Sequence, residues 1–270
     1  MKLVTYHGRS GIRHGRLREA GPPALELACR AAGRELPLAD VQVLAPLARP
    51  PKLLALAANY QDHITEGGGQ RVDKARLAPK LFLKPSSAII GPGQPLILPA
   101  VSQTVDWELE LAVVIGRRCR NLPVEQALAA VAGYTIINDI SARTIDYGNE
   151  RNDYAWREYF DWLMGKWPDS FAPLGPYLVT ADDVPDPQQL DMRLTLDGEL
   201  RQHASTRDMI FGVAEIIAFA SRFMTLEPGD LIATGTPSGV GDATGTYLRP
   251  GNVMEASITG LGTLRTPVQA

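Results

Sequence analysis

The 270-residue sequence predicts a mainly β protein, a mixed sheet wrapped into a roll or barrel with few helices. Three observations lead there. Short apolar runs recur along the chain, each punctuated by Gly or Pro. Helical periodicity is confined to a few segments. Strands and helices do not alternate, and neither a G-x-G-x-x-G fingerprint after a first strand nor a Walker loop is present, so a βαβ pattern is excluded.

Residues 1–48 read as a small N-terminal domain. Lys2 to Tyr6 suits a strand, Glu26 to Ala32 a short helix after Gly21-Pro22-Pro23, and Val41 to Leu44 another short apolar run. The stiff connection Ala48-Arg49-Pro50-Pro51-Lys52 marks the expected boundary, leaving residues 49–270 as the catalytic domain. Strands are expected at Leu53–Ala57, Leu81–Leu83, Leu96–Leu98, Glu108–Ile115, Tyr134–Asn138, Tyr177–Thr180, Asp191–Leu196, Leu231–Thr234 and Asn252–Ile258. A short helix fits Val124–Ala132, with Gly133 at its C-terminal end. The longest helix is expected over Thr206–Met224, capped by Ser205 or Thr206, with Ile210, Val213, Ile217, Ala220 and Met224 in one apolar stripe. Glu227-Pro228-Gly229-Asp230 then makes a turn.

Composition narrows the function classes. Hydrophobic residues make up 45%, charged residues 21%, and the net charge is −3, ordinary values for a globular protein. No Lys/Arg cluster interleaves with aromatics, so nucleic acid is not an expected partner. Cys29 and Cys119 lack metal-ligand spacing and read as reduced structural thiols. The chain start carries no sustained apolar run and no stretch is long enough to span a bilayer, so the expected location is the cytoplasm, away from membranes.

The sharpest local feature is Asp106-Trp107-Glu108-Leu109-Glu110-Leu111-Ala112-Val113-Val114-Ile115. Strand side chains alternate, so Asp106, Glu108 and Glu110 share one face, while Trp107, Leu109, Leu111, Val113 and Ile115 share a core face. Past Glu110 the acidic face turns apolar at Ala112 and Val114, which sets the glutamates at the mouth of a buried strand. Two like charges repel there, and a divalent cation removes that penalty; Mg²⁺ takes carboxylate oxygens together with water or substrate. Asp139, just past Tyr134–Asn138, offers a third carboxylate. A half-solvated strand with two surface glutamates fits the same pattern. His63 and Glu66, spaced i, i+3, share a face if helical, which lets Glu66 hold the imidazole; Gly67-Gly68-Gly69 follows as a hinge for a lid. A surface helix with a casual His/Glu pair also fits that spacing.

Taken in order, several segments resemble the fumarylacetoacetate hydrolase family from about Leu53 to Val268. They are Asn59-Tyr60-Gln61-Asp62-His63, Phe82-Leu83-Lys84-Pro85, Glu108-x-Glu110, Asn138-Asp139-Ile140-Ser141-Ala142-Arg143, Gly198-Glu199-Leu200-Arg201-Gln202, Asp208-Met209-Ile210-Phe211, Leu226-Glu227-Pro228-Gly229-Asp230 and Gly235-Thr236-Pro237-Ser238-Gly239-Val240-Gly241. The resemblance implies a β-roll catalytic domain, usually a homodimer, with Mg²⁺ or Mn²⁺ on Glu108, Glu110 and Asp139. It implies substrates such as acylpyruvates, 1,3-diketo acids or 2-oxo dicarboxylates, chelated so that the ion stabilises an enolate.

The same resemblance assigns His63 as base with Glu66 as its partner. Lys166 lies in Gly165-Lys166-Trp167-Pro168-Asp169-Ser170-Phe171, similar to the family's Lys-x-Phe-Asp-x-Phe segment, and polarises a substrate oxygen; Pro168 departs from the family pattern. Gln202 and Thr236 are substrate-binding candidates, with Lys84 binding or buttressing the pocket, and His203, His7 and His14 receive no catalytic role. The stretch 144–165 is longer and more aromatic than usual in the family; Tyr154, Trp156, Tyr159, Phe160 and Trp162 cover the site mouth or form a dimer contact. The expected activity is hydrolysis of a C–C bond in an acylpyruvate or related diketo acid, as in aromatic compound catabolism. The alternative is a decarboxylase, hydratase or isomerase of a 2-oxo dicarboxylate such as oxaloacetate or 2-hydroxyhepta-2,4-diene-1,7-dioate, and a third reading is a catalytically silent binding protein.

Overall fold

The run Leu109–Ile115, apolar at every position but Glu110, is buried at every residue, as a strand flanked on both faces requires. A computed structural model describes residues 1–8, 11–19, 25–29, 34–37, 41–150 and 155–270. Its strands are β1 Lys2–Gly8, β2 Gly11–Glu19, β3 Leu25–Cys29, β4 Arg34–Pro37, β5 Gln42–Leu44, β6 Leu53–Ala57, β7 Lys80–Lys84, β8 Ile89–Ile90, β9 Leu96–Ile97 and β10 Val105–Asp106. They continue with β11 Leu109–Ile115, β12 Val131–Asn138, β13 Ser141–Ala142, β14 Ala172–Thr180, β15 Asp191–Leu196, β16 Glu199–Ser205, β17 Leu231–Ala233, β18 Val253–Ile258 and β19 Gly262–Gln269. The helices are α1 Gln61–Glu66, α2 Val124–Ala127, α3 Arg157–Met164, α4 Val213–Phe223 and α5 Gly241–Thr244.

The main sheet runs β4-β3-β2-β1-β14-β12-β11-β17-β6-β7, with β5 on β1 and β8 on β14. A second sheet runs β16-β15-β18-β19-β9. The first path ends on β4 and β7, so the mixed sheet is a roll with open ends and no closed barrel among the described residues. The strands of residues 1–48 join this sheet where β1 pairs with β14. Val4 and Tyr6 are buried in the common core.

Three helix expectations need correction. Leu25–Cys29 is a strand, laddered to both β2 and β4, where a helix was expected from Glu26; residues 30–32 lie outside the described residues. The Val124–Ala132 helix ends sooner: α2 passes through a 3-10 turn, Leu128–Ala130, and Val131 already starts β12. Gly133 is a strand residue, and a Cβ there would collide with the Val179 carbonyl of β14, so its smallness serves close strand approach. The Thr206–Met224 helix splits. Ser205 caps only the turn Thr206–Asp208, and α4 starts at Val213. The break is made from afar: Ile210 N donates to Asn59 O, Phe211 N to Asn59 Oδ1, and Asn59 Nδ2 to Phe211 O. Those bonds take the amide groups that a helix would need. Val213, Ile217 and Ala220 keep the expected buried stripe on α4.

Candidate active site

Antiparallel pairing sets the start of β11 against the end of β12, Leu109 opposite Asn138 and Glu110 opposite Ile137. Asp139 N donates to Glu108 O at 2.8 Å, and Glu108 N to Asn138 Oδ1 at 2.8 Å, which locks the two turns together. Oxygens of Glu108, Glu110 and Asp139 lie within 4.8 Å of one another, and all three residues are buried.

Two lysines reach this cluster. Lys166 Nζ donates to Glu108 Oε2 at 2.7 Å and Asp139 Oδ2 at 2.9 Å, beneath the rings of Phe82 and Trp162 at 5.4 and 5.8 Å. Lys84 Nζ donates to Asp139 Oδ1 at 2.5 Å and Ile140 O at 3.1 Å. Lys84 stands opposite Leu53 in the β6–β7 ladder yet touches Asp139, so the sheet curls to carry β7 over this end of β11 and β12. Arg143 forks Asp106 at 2.7 and 3.1 Å and reaches Glu108 Oε1 at 2.8 Å. Asp106 Oδ2 also accepts from Asp242 N at 2.7 Å, tying α5 to the site.

Glu110 is treated differently. Among the described residues its one hydrogen-bond donor is Gly235 N, at 2.6 Å. Gly235 holds φ +92°, and a Cβ there would lie 2.6 Å from Asn59 Cβ, so glycine is required at this approach. Burial, then the charges of Asp139 and Glu108, push the Glu110 carboxyl well above the usual range. Burial would also raise Glu108, but Lys166, Arg143 and His63 outweigh it and hold it at about 2. Asp106 is pushed up to about 6 by burial, with Arg143 opposing. Burial pulls the Lys84 ammonium down, Asp139 opposing it. For Lys166 the same burial is outweighed by Asp139 and Glu108, which hold the ammonium above the ordinary lysine range. A buried carboxyl destabilised by two neighbouring carboxylates, with no cation of its own in hydrogen-bond reach among the described residues, is the chemistry that a hard divalent cation relieves. The oxygen-only donor set fits Mg²⁺ or Mn²⁺.

A cavity of about 390 Å³ reaches this cluster at Glu108 and is also lined by Arg143, Lys166, Thr236 and His63. Leu56, Leu81, Phe82, Tyr159 and Trp162 form its apolar wall. His63 Nδ1 is 2.8 Å from Glu66 Oε1, and Glu66 Oε2 accepts from Gly239 N at 2.7 Å. The α1 pair is thus tied to the loop after β17.

Gln202 stands apart from the cavity. It is fully buried, its Oε1 accepts from Leu109 N at 2.9 Å, and its Nε2 donates to Thr236 Oγ1 and Pro237 O, each at 2.9 Å. Thr236 Oγ1 in turn donates to Leu109 O at 3.0 Å. Of the aromatic stretch, Tyr159 and Trp162 line the cavity, Trp156 and Phe160 face outward, and Tyr154 lies outside the described residues. His14 bonds Thr5 and exposed His203 bonds Asp191, both away from the site. Sequence reading missed Arg143 and Asp106 as site groups. Arg143 closes the segment Asn138–Arg143, two residues past Ser141, whose hydroxyl also reaches Glu108 at 3.2 Å.

The family model described as fumarylacetoacetate (FAA) hydrolase C-terminal matches residues 52–269. Among similar proteins is a mitochondrial oxaloacetate tautomerase from Rattus norvegicus, 41% identical over 251 residues, 91% of this chain and 76% of that protein. A 2-hydroxyhepta-2,4-diene-1,7-dioate isomerase from Mycobacterium marinum superposes with a TM-score of 0.82 at 35% identity, covering 100% of this chain and 98% of that one. A fumarylacetoacetate hydrolase from Exiguobacterium antarcticum does so with a TM-score of 0.83 at 35% identity, covering 100% and 99%. With a match over residues 52–269 and relatives of this identity, the chain belongs to the fumarylacetoacetate hydrolase family.

Proposed function

We propose that this enzyme moves a proton at the carbon beside the keto group of a small 2-oxo acid, as a divalent-metal-dependent tautomerase or isomerase. The observation that carries this reading is one cavity lined by His63, whose Nδ1 pairs with Glu66, and by Glu108 of the three clustered carboxylates, together with the cations Arg143 and Lys166. Similarity to an oxaloacetate tautomerase and a heptadienedioate isomerase supports it.

Glu108, Glu110 and Asp139 would hold Mg²⁺ or Mn²⁺, which when bound acts as a Lewis acid toward the keto oxygen. With Nδ1 engaged by Glu66, Nε2 of His63 is the ring nitrogen that takes the C3 proton and returns it at the new position. Glu66 fixes the tautomer and stabilises the protonated ring. Lys166 and Arg143 supply fixed positive charge for the developing oxyanion. Thr236 lines the pocket, Gln202 positions Thr236, and Lys84 positions Asp139. The apolar wall keeps bulk water from the reacting carbon.

Hydrolysis of an acylpyruvate is the second reading, favoured by the same His63–Glu66 pair, which can equally draw a proton from water. Oxaloacetate and an acylpyruvate in D₂O separate the two. Deuterium uptake at C3 without cleavage supports the first, and loss of enol absorbance with release of a carboxylic acid supports the second. His63→Ala should lower either rate by roughly 10²–10⁴-fold. Absence of both reactions in Mg²⁺-loaded enzyme rejects the proposal.

We also propose a domain boundary at 48/49, a cytoplasmic enzyme and a homodimer. Light scattering should then give about twice the 29.3 kDa chain mass. In the described residues no helix is long and apolar enough to cross a membrane.

A further inference from the structure

Strand β7 borders the cavity, and alternation puts Lys80, Phe82 and Lys84 on one side of it. Lys84 is the inner end of that row, buried against Asp139, and Phe82 lies midway, its ring edge-on to Trp162 at 4.9 Å. Lys80 is the outer end, exposed and opposite Ala57. It borders the cavity described above and an adjoining one of about 510 Å³, which meet at Ala58, His63, Lys80 and Arg143. The other cations at the cavity are committed: Arg143 to Asp106 and Glu108, Lys166 to Glu108 and Asp139. No carboxylate among the described residues pairs with Lys80.

We propose that Lys80 is a specificity-determining residue whose ammonium takes an anionic group at the far end of the substrate. It thereby selects long 2-oxo dicarboxylates over 2-oxo acids with a neutral tail, an inference that rests on the 2-oxo acid reading. Spacing supports it. Four strand residues put the Cα atoms of Lys80 and Lys84 about 13 Å apart. A four-carbon diacid with its 2-oxo acid end near Asp139 is too short to approach Lys80, whereas a six- or seven-carbon chain plus the lysine stem closes the gap. The wall between is apolar, from Phe82, Leu81, Tyr159 and Trp162, and suits an uncharged carbon chain.

The test uses full-length, Mg²⁺-loaded wild type, Lys80→Met and Lys80→Arg. Their substrates are a 2-oxo heptanedioate-type acid and a 2-oxo acid of equal length ending in a methyl group. For Lys80→Met the diacid/monoacid ratio of kcat/KM should fall about fivefold or more, mostly through KM, and Lys80→Arg should restore it. The wild-type KM for the diacid should rise with ionic strength, and that dependence should weaken in Lys80→Met. Equal effects on both acids, or an unchanged ratio, overturn the proposal. Calorimetric binding of the same acids separates it from the reading beneath. If wild type binds the diacid but turns nothing over, the proposed reaction fails while a diacid-specific affinity loss in Lys80→Met still upholds Lys80. If wild type binds no 2-oxo acid, both fall.

Discussion

Gln202 is the residue whose sequence-derived role and structural position differ most, and replacing it by leucine separates them. The side chain is buried and spends both ends of its amide on the protein: Leu109 N, Thr236 Oγ1 and Pro237 O. Leucine fills nearly the same volume but leaves Leu109 N and Pro237 O without that partner; Thr236 keeps its bond to Leu109 O. Each stranded buried group costs about 1–3 kcal/mol, and leucine's better transfer into the core offsets part. A net loss of about 2–4 kcal/mol follows, which for a chain of this size is a fall in Tm of roughly 4–16 °C. Thermal melts followed by circular dichroism, beside kinetics on the same samples, make the assay. The reasoning predicts a large Tm fall with a KM change that tracks Thr236 disorder. A Tm within about 1 °C of wild type together with a hundredfold loss of kcat/KM would refute it and make Gln202 a direct substrate contact.

Glu66→Gln keeps an acceptor for Gly239 N but cannot stabilise a protonated His63, so kcat should fall while Tm stays near wild type; kinetics with a parallel melt checks this. Lys84→Met takes the donor from Asp139 Oδ1 while Lys166 still holds Oδ2, so metal-free stability should drop by about 1–3 kcal/mol, partly recovered by Mg²⁺, as read in melts with and without the ion. Asp106, with its carboxyl raised to about 6, favours folding while protonated, and that contribution is lost as pH rises from the unfolded value through about 6. Asp106→Asn should therefore remove a slope of up to about 1.4 kcal/mol per pH unit between pH about 4 and 6, measured by denaturant titration across that range.

Local patterns were legible where the deciding contacts are local. Glu108 and Glu110 do bring their oxygens to one cluster as the alternation implied, although the expected continuous strand is interrupted at Trp107–Glu108, between β10 and β11. Strands such as β16 and β19 escaped because their cues are broken: in β19, Leu264, Thr266 and Val268 are buried in alternation, but a threonine and Pro267 interrupt the apolar signal. The α4 start was misplaced by Asn59, whose backbone and amide claim Ile210 and Phe211 from over 150 positions away. Likewise Arg143 reads as an ordinary arginine until β10 and β13 bring it to Asp106 and Glu108. Lys166 finds its two carboxylates only after the chain has returned through α3.

The account turns on a divalent ion at Glu108, Glu110 and Asp139. The most direct test is C3 deuterium exchange of oxaloacetate by chelator-stripped wild type and Glu110→Gln, before and after Mg²⁺ is restored. The account predicts loss of exchange on stripping, recovery in wild type on adding Mg²⁺, and no recovery in Glu110→Gln. Undiminished exchange by the stripped wild-type enzyme would contradict it.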